Sequence, residues 1–268
     1  MRTSKWDQRI RRANELAAEL PFAADVLSFY ERVAGLQKAL YSHFESACGV
    51  EPEKRGPGSL RDELDLFILL PKFRDFLASV ETIAPPPIAH SARELKSRGV
   101  EHWQDLLEAY WNASTLFASR IDALLAWMYL QPYAEYLADH TAPDFPVGTP
   151  AVCPMCADEP RLGVLRPEGD GAKRSLVCSL CSTEWAYRRL VCPSCGEENA
   201  EKLSIYVVEN FPHIRIEACD SCHQYITTVD LTKNGRAVPV VDELAAIPLN
   251  LWARENGYSR VGPDLLGI

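Results

Sequence analysis

Eight cysteines in four C-x-x-C pairs, all between Cys153 and Cys222, constrain this chain more than any other feature. The pairs are Cys153/Cys156, Cys178/Cys181, Cys192/Cys195 and Cys219/Cys222. A C-x-x-C turn brings two sulfurs onto one tight knuckle, and two facing knuckles supply a tetrahedral set of four thiolates. That is the donor set of a closed structural zinc site or of a rubredoxin-type iron site. Four knuckles make two such sites, so the expected cofactors are two tetrathiolate-bound metal ions, iron or zinc, with all eight cysteines as ligands. A thioredoxin-like dithiol would need a surrounding βαβ pattern, and none surrounds these pairs. A disulfide framework suits short secreted chains, and this one shows no sign of secretion. The ninth cysteine, Cys48, stands alone near the end of a helical pattern and reads as a small core hydrophobe.

The cysteine region repeats internally. Cys153-Pro-Met-Cys156 is followed by 21 residues, then Cys178-Ser-Leu-Cys181 and Trp185. Cys192-Pro-Ser-Cys195 is followed by 23 residues, then Cys219-Asp-Ser-Cys222 and Tyr225. Each unit opens with C-P-x-C, continues through a hairpin-length β segment and closes on a second knuckle and an aromatic. Such a hairpin is too small for its own core and is tied together by metal. The repeat pairs knuckle one with two and three with four; an interleaved pairing is the alternative. Short β-rich runs are expected at 161–166, 174–177, 185–190, 202–208, 214–218 and 225–230. His213 and His223 lie near the second site, which already has four sulfurs, so His223 is expected to be exposed or to support a ligand from outside.

Residues 1–140 read as helix after helix. Trp6, Ile10, Ala13, Ala17 and Leu20 recur at helical spacing, with Ser4 as an N-cap and Pro21 as a stop. Val26, Tyr30, Val33, Leu36, Leu40 and Phe44 mark a second helix closed by Cys48-Gly49, and Gly56 to Ser59 form a loop. Leu64, Phe67, Ile68, Phe76, Leu77 and Val80 mark a third, with Pro71 predicting a kink or break. Ala84 to Pro87 read as a rigid connector. Trp103 through Phe117 to Met128 trace one or two long helices, and Pro132 starts or kinks the next, which carries Tyr133, Tyr136 and Leu137. The aromatic stripe is read as core. His43, His90, His102 and His140 are scattered, without i, i+4 pairing or acidic company.

Residues 141–150 hold three prolines and a glycine and read as a linker. The expected organisation is therefore α plus small β. An all-helical domain over 1–140 and the linker precede two tandem rubredoxin-like or zinc-ribbon modules, over 151–190 and 191–240. A C-terminal helical tail over 241–268 closes the chain, with Pro248 starting its helix and Gly257 capping it.

The 268 residues carry a formal net charge of −9. Residues 151–268 hold 12 basic and 16 acidic side chains, against 16 and 21 in the remainder. Two divalent tetrathiolate sites would add roughly −2 each. Nucleic-acid affinity comes largely from clustered Lys and Arg, so this balance argues against DNA or RNA as partner while leaving room for a local basic patch. No apolar run approaches membrane-spanning length, which argues against membrane insertion. Arg11-Arg12 is followed by acids where an export signal needs an apolar region. Eight thiols kept reduced for metal point to the cytoplasm.

The residues resemble a known family, the formate dehydrogenase accessory protein FdhE. The resemblance rests on the two C-P-x-C openings, on Leu176 to Arg189 leading into Cys192, and on Arg215-Ile-Glu-Ala-Cys-Asp-Ser-Cys-His-Gln-Tyr. The tail from Asp242 to Tyr258 is also similar. The resemblance implies a helical domain joined to two rubredoxin-like modules. It also implies a cytoplasmic accessory protein that handles the catalytic subunits of exported molybdenum- or tungsten-containing formate dehydrogenases. One departure is Ala157, where the family's first knuckle continues with Gly, as Gly196 does here; a side chain there would alter the turn.

No Gly-rich phosphate loop, nucleophile elbow or H-E-x-x-H is present, and no small-molecule substrate is indicated. Four thiolates per site leave no open position for Lewis-acid chemistry. The expected function is a non-enzymatic maturation factor that binds the formate dehydrogenase catalytic subunit before export. The alternatives are a rubredoxin-like iron electron-transfer protein and, less favoured by charge, a nucleic-acid-binding zinc ribbon.

Overall fold

Ser4 accepts the backbone N–H of Asp7 at 3.1 Å and so starts the first helix, α1 (Lys5–Glu19), in this computed structural model. The structure describes residues 4–47, 53–55, 59–113, 119–143 and 150–262. Cys48-Gly49, Gly56 to Gly58, Phe117 and most of the expected linker lie outside the described residues. Helices α2 (Ala24–Ala47), α3 (Leu66–Ile83), α4 (Pro86–Ser97), α5 (Val100–Trp111) and α6 (Arg120–Asp139) follow. Short strands β1 (Glu53–Arg55) and β2 (Thr141–Pro143) pair in parallel.

The long helix α6 is the axis of this half. Apart from Gln131 and Glu135 it is apolar on every side from Ala123 to Leu137, and every residue of that stretch is buried, as such a helix must be when it forms the centre of a core. Pro132 neither starts nor breaks it. The carbonyl that a Pro132 N–H would have engaged belongs to Met128, and the buried Gln37 of α2 donates its Nε2 to that oxygen at 2.9 Å. Pro71 likewise lies inside α3, which runs on through it. The expected connector at Ala84 to Pro87 shrinks, because Pro86 and Pro87 occupy the first turn of α4, where a missing N–H costs nothing. Asp65 caps α3 and sets its phase, so Leu69, Phe73, Phe76, Leu77 and Val80 face inward. Phe67, expected on the apolar face, is turned out instead and is 95% exposed.

The C-terminal half holds one sheet. Its strands are β3 (Pro160–Glu168), β4 (Gly171–Cys178), β5 (Glu184–Ala186), β6 (Leu203–Val207), β7 (Ile214–Cys219) and β8 (Gln224–Asp230), with β9 (Ser259–Arg260) beside β8. The order β5-β4-β3-β8-β7-β6 places the two ribbons side by side. They join where β3 and β8 pair in parallel, Gly163 opposite Thr228 and Leu165 opposite Asp230. The Thr228 side chain sits so close over this glycine that a Cβ on Gly163 would lie 2.4 Å from its Oγ1. The run expected at 185–190 is paired only over Glu184–Ala186. The tail forms α7 (Pro239–Asp242), a short 3-10 turn and α8 (Ile247–Glu255). Gly257 follows with φ +84.

The apolar core runs from the helices into the first ribbon. Phe73, Trp111, Leu125 and Tyr133 belong to the same buried cluster as Cys153, Met155, Cys178, Leu180 and Trp185. A second cluster packs α1 and α2 against Leu162, Val164 and Val177 and against Val241 and Leu244 of the tail. A third seats Leu249 and Ala253 of α8 on Ile214, Ile216 and Ala218 of β7.

Candidate metal centres

The knuckles meet as one with two and three with four. Cys153, Cys156, Cys178 and Cys181 form one group and Cys192, Cys195, Cys219 and Cys222 the other, each with its four sulfurs within 4.8 Å of one another. In the first, Cys156 and Cys178 approach to 3.3 Å, and Cys153 and Cys181 to 3.6 Å. In the second, the pairs Cys192/Cys222 and Cys195/Cys219 both stand at 3.7 Å. A tetrahedron with metal–sulfur bonds of about 2.3 Å has edges of about 3.8 Å, so both groups fit one ion each with little movement.

All four knuckles share one backbone feature. The residue after the second cysteine takes a left-handed backbone: Ala157 at φ +60, Ser182 at +54, Gly196 at +76 and His223 at +54. At the first, third and fourth knuckles this turn sends its N–H back to the carbonyl of the opening cysteine, as Ala157 does to Cys153 at 2.8 Å. Ala157 therefore takes the same turn as Gly196, and the expected distortion does not occur. Backbone N–H groups of Met155, Leu180 and Ser194 point at Cys153, Cys178 and Cys192 sulfurs, each at 3.4 Å. Such donors favour thiolate. Burial pushes the Cys178 thiol well above its ordinary range and the Cys192 thiol up to about 12. A metal cation that binds here has to displace those protons.

The two groups differ in access. The four cysteines of the first are at most 3% exposed, whereas Cys195 is exposed and Cys222 half-buried. The first is also braced from the helical half. Trp127 Nε1 on α6 donates to the Ser179 carbonyl at 3.0 Å, and Ser182 donates its hydroxyl to Glu135 at 2.8 Å. Glu135 is itself clamped by Arg9 at 2.7 Å and Lys5 at 2.8 Å. Asp242 in the tail receives Arg12 at 2.6 Å and His213 at 3.0 Å, and Glu243 receives Arg161 at 3.0 Å together with Arg260. Three buried carboxylates thus bolt α1, α6, the sheet and the tail together, Glu135 and Glu243 each held by two cations and Asp242 by Arg12 and the His213 ring.

Sequence patterning missed these bolts. The available signal was Glu135, the one charged residue between Ala123 and Leu137 of an otherwise apolar helix. His213 serves Asp242, and His223 contributes backbone geometry. His90 does have an acidic i+4 neighbour, Glu94 at 3.5 Å, but both are exposed. Among the described residues no helix is long and apolar enough to cross a membrane.

The fold and the site define the class: a helical body fused to a sheet of two tetracysteine ribbons. The family models "FdhE, central domain" and "FdhE, C-terminal domain" match residues 152–189 and 176–266. A "Protein FdhE homolog" from Aquifex aeolicus (strain VF5) is 33% identical over 186 residues, covering 66% of this chain and 65% of that protein. Another, from Haemophilus ducreyi (strain 35000HP / ATCC 700724), is 25% identical over 281 residues, covering 98% and 90%. The chain spans just under two thirds of the Aquifex protein and nearly all of the Haemophilus one. The crystal structure of the FdhE protein from Pseudomonas aeruginosa shares the fold, with a TM-score of 0.71 over 99% of this chain and 97% of that one at 22% identity. Residues 152–266 thus match the central and C-terminal domains of FdhE, and the fold of an FdhE protein extends over the whole chain.

Proposed function

We propose that this protein is a non-enzymatic accessory factor that binds the catalytic subunit of formate dehydrogenase in the cytoplasm before export and supports its assembly. The match of residues 152–266 to FdhE domains supports formate dehydrogenase as the enzyme served. The single structural observation behind the reading is that both cysteine groups are built into one sheet bolted to a helical body. Each offers four sulfurs and, among the described residues, no further His, Asp or Glu donor, so a bound metal would be coordinatively closed and would shape a surface. Cys153, Cys156, Cys178, Cys181, Cys192, Cys195, Cys219 and Cys222 are the proposed ligands. The helical region 1–140, the linker 141–150, the ribbons 151–190 and 191–240 and the tail 241–268 are the proposed divisions.

An anaerobic pull-down of the tagged full chain, probed for the catalytic subunit, tests the reading. Deletion of the gene should lower formate dehydrogenase activity without lowering its transcript. Normal activity in a deletion strain with no second copy would sink it.

The exposure of Cys195 and Cys222 favours a second reading, electron transfer through iron at the second group. Metal analysis with a visible spectrum separates the two. Zinc alone, without ferric-thiolate absorption, rules out redox chemistry at the metal.

A further inference from the structure

A cavity of about 290 Å³ opens between the segment that links the two ribbons and the outward face of β6–β8. Leu190 on the linking segment and Ile205 on β6 both line it and are 56% and 47% exposed. Val207 and Val208 beside it are 54% and 40% exposed. Exposed large apolar side chains gathered around a cavity mark a binding surface rather than ordinary surface scatter. β6 is also an open sheet edge, and its sequence Leu-Ser-Ile-Tyr-Val contains none of the charged residues or prolines that usually blunt one.

The polar part of the cavity is cationic. Arg174, Arg189 and Arg215 line it, and Glu217 is the one carboxylate among its lining residues. Glu217 is shared between Arg174 at 2.6 Å and Arg215 at 2.5 Å. Arg174 is 3% exposed and keeps its Nε without a partner, while exposed Arg189 has no ion pair among the described residues. Cys192 and Cys219 also line the cavity, and a divalent metal there would add about two negative charges. Attraction for an anion is therefore concentrated at Arg189, on the rim beside Leu190.

We propose that this cleft docks an extended segment of the partner polypeptide. A carboxylate of the segment pairs with Arg189, and branched or aromatic side chains cover Leu190 and Ile205. The open β6 edge supplies backbone hydrogen bonds to such a strand. The inference rests on the proposed accessory function and names the surface through which it acts.

The test uses full-length, metal-loaded protein and the formate dehydrogenase catalytic subunit from the same genome, both intact and as an overlapping peptide array. Arg189→Glu, Leu190→Glu and Ile205→Glu should each weaken capture of the intact subunit by about tenfold or more, as loss of a central contact does. Metal content and circular dichroism should stay those of the unaltered protein, and Phe67→Ser, far from the cleft, should change nothing. Peptides retained on the array should carry an acid flanked by apolar residues. Leu190 and Ile205 sit on different segments, so a fold defect at one leaves the other to decide. Unchanged capture by well-folded variants would overturn the cleft assignment while leaving the accessory function standing. Failure of the unaltered protein to capture the subunit would instead overturn the function. Self-association abolished by these substitutions, with subunit capture intact, would reassign the surface to a second copy of this chain.

Discussion

Ser182 hydrogen-bonds Glu135 at 2.8 Å, tying the turn of the first cysteine group to the C-terminal part of α6. The same carboxylate holds Arg9 and Lys5 of α1. A metal knuckle, the central helix and the N-terminal helix therefore share one buried anion.

Replacing Glu135 by Gln should cost about 3–5 kcal/mol, because it strands the buried Arg9 guanidinium. Burial alone would raise the Glu135 carboxyl, but Arg9 and Lys5 outweigh it and hold it below the ordinary range. A depressed folded value means the stabilisation is fully present above about pH 4.5 and is lost as pH falls further. The gap between Glu135→Gln and the unaltered protein in urea unfolding should then narrow below that pH. A gap that is constant with pH would show that Glu135 acts through packing alone.

Gln37 answers a different need. Replacing it by Leu should leave the Met128 carbonyl, orphaned by Pro132, buried without a donor, at a cost of about 1–3 kcal/mol. Adding Pro132→Ala restores an N–H for that carbonyl. The double variant should recover much of the loss, and independent, additive losses would refute the pairing.

Much of this architecture was legible because its signals are local. The pairing of knuckles followed from the C-P-x-C repeat, and four of the six strand runs lie within strands, with 202–208 overhanging β6 by one residue at each end, because turns and cysteines bracket them. The phase of α3 was not legible, since Leu66 to Leu70 is apolar throughout and only the Asp65 cap decides that Phe67 faces water. Helix α4 was hidden by prolines that read as a connector. The fusion of the ribbons into one sheet depends on the contact between Gly163 and Thr228, 65 residues apart, which no local pattern encodes. The ion pairs of Arg12 and Arg9 were equally invisible, because their partners Asp242 and Glu135 lie far along the chain.

The two cysteine groups should respond differently to loss of ligands. Cys153→Ser with Cys156→Ser removes metal from a group embedded in the main core, so tryptophan fluorescence and thermal stability of the whole chain should fall. Cys192→Ser with Cys195→Ser should also lose one metal equivalent, yet leave the helical signal near its starting melting temperature. Equal effects from both pairs would contradict the packing.

Ala157 holds a left-handed backbone that costs a non-Gly residue about 1–2 kcal/mol. Glycine relieves that strain but adds about 0.5–1 kcal/mol of unfolded-state entropy. Ala157→Gly should therefore stabilise the first ribbon by up to about 1 kcal/mol, and Gly196→Ala should weaken the second by a similar amount. Chelator-driven metal release, slowed in the first variant and hastened in the second, is the readout. Faster release from Ala157→Gly would mean that the alanine side chain contributes contacts that outweigh its strain.

The junction between the ribbons offers a last test, by double-mutant cycle. Gly163→Ala places a Cβ 2.4 Å from Thr228 Oγ1, well inside contact distance, between strands buried on both sides. Overpacking of this kind costs about 1–3 kcal/mol, and here the strain falls on the β3–β8 pairing that fuses the ribbons. Thr228→Ala removes the clashing oxygen but leaves its own Cβ 3.3 Å away, a contact that a small shift can relieve. The two substitutions together should therefore destabilise less than the sum of each alone, with a coupling of about 1 kcal/mol or more. Hydrogen exchange at Val164 and Leu165 should quicken in Gly163→Ala and slow again in the double variant. Strict additivity, or protection unchanged in Gly163→Ala, would mean that the ribbons are held together by the tail and the helices and that the shared sheet contributes little.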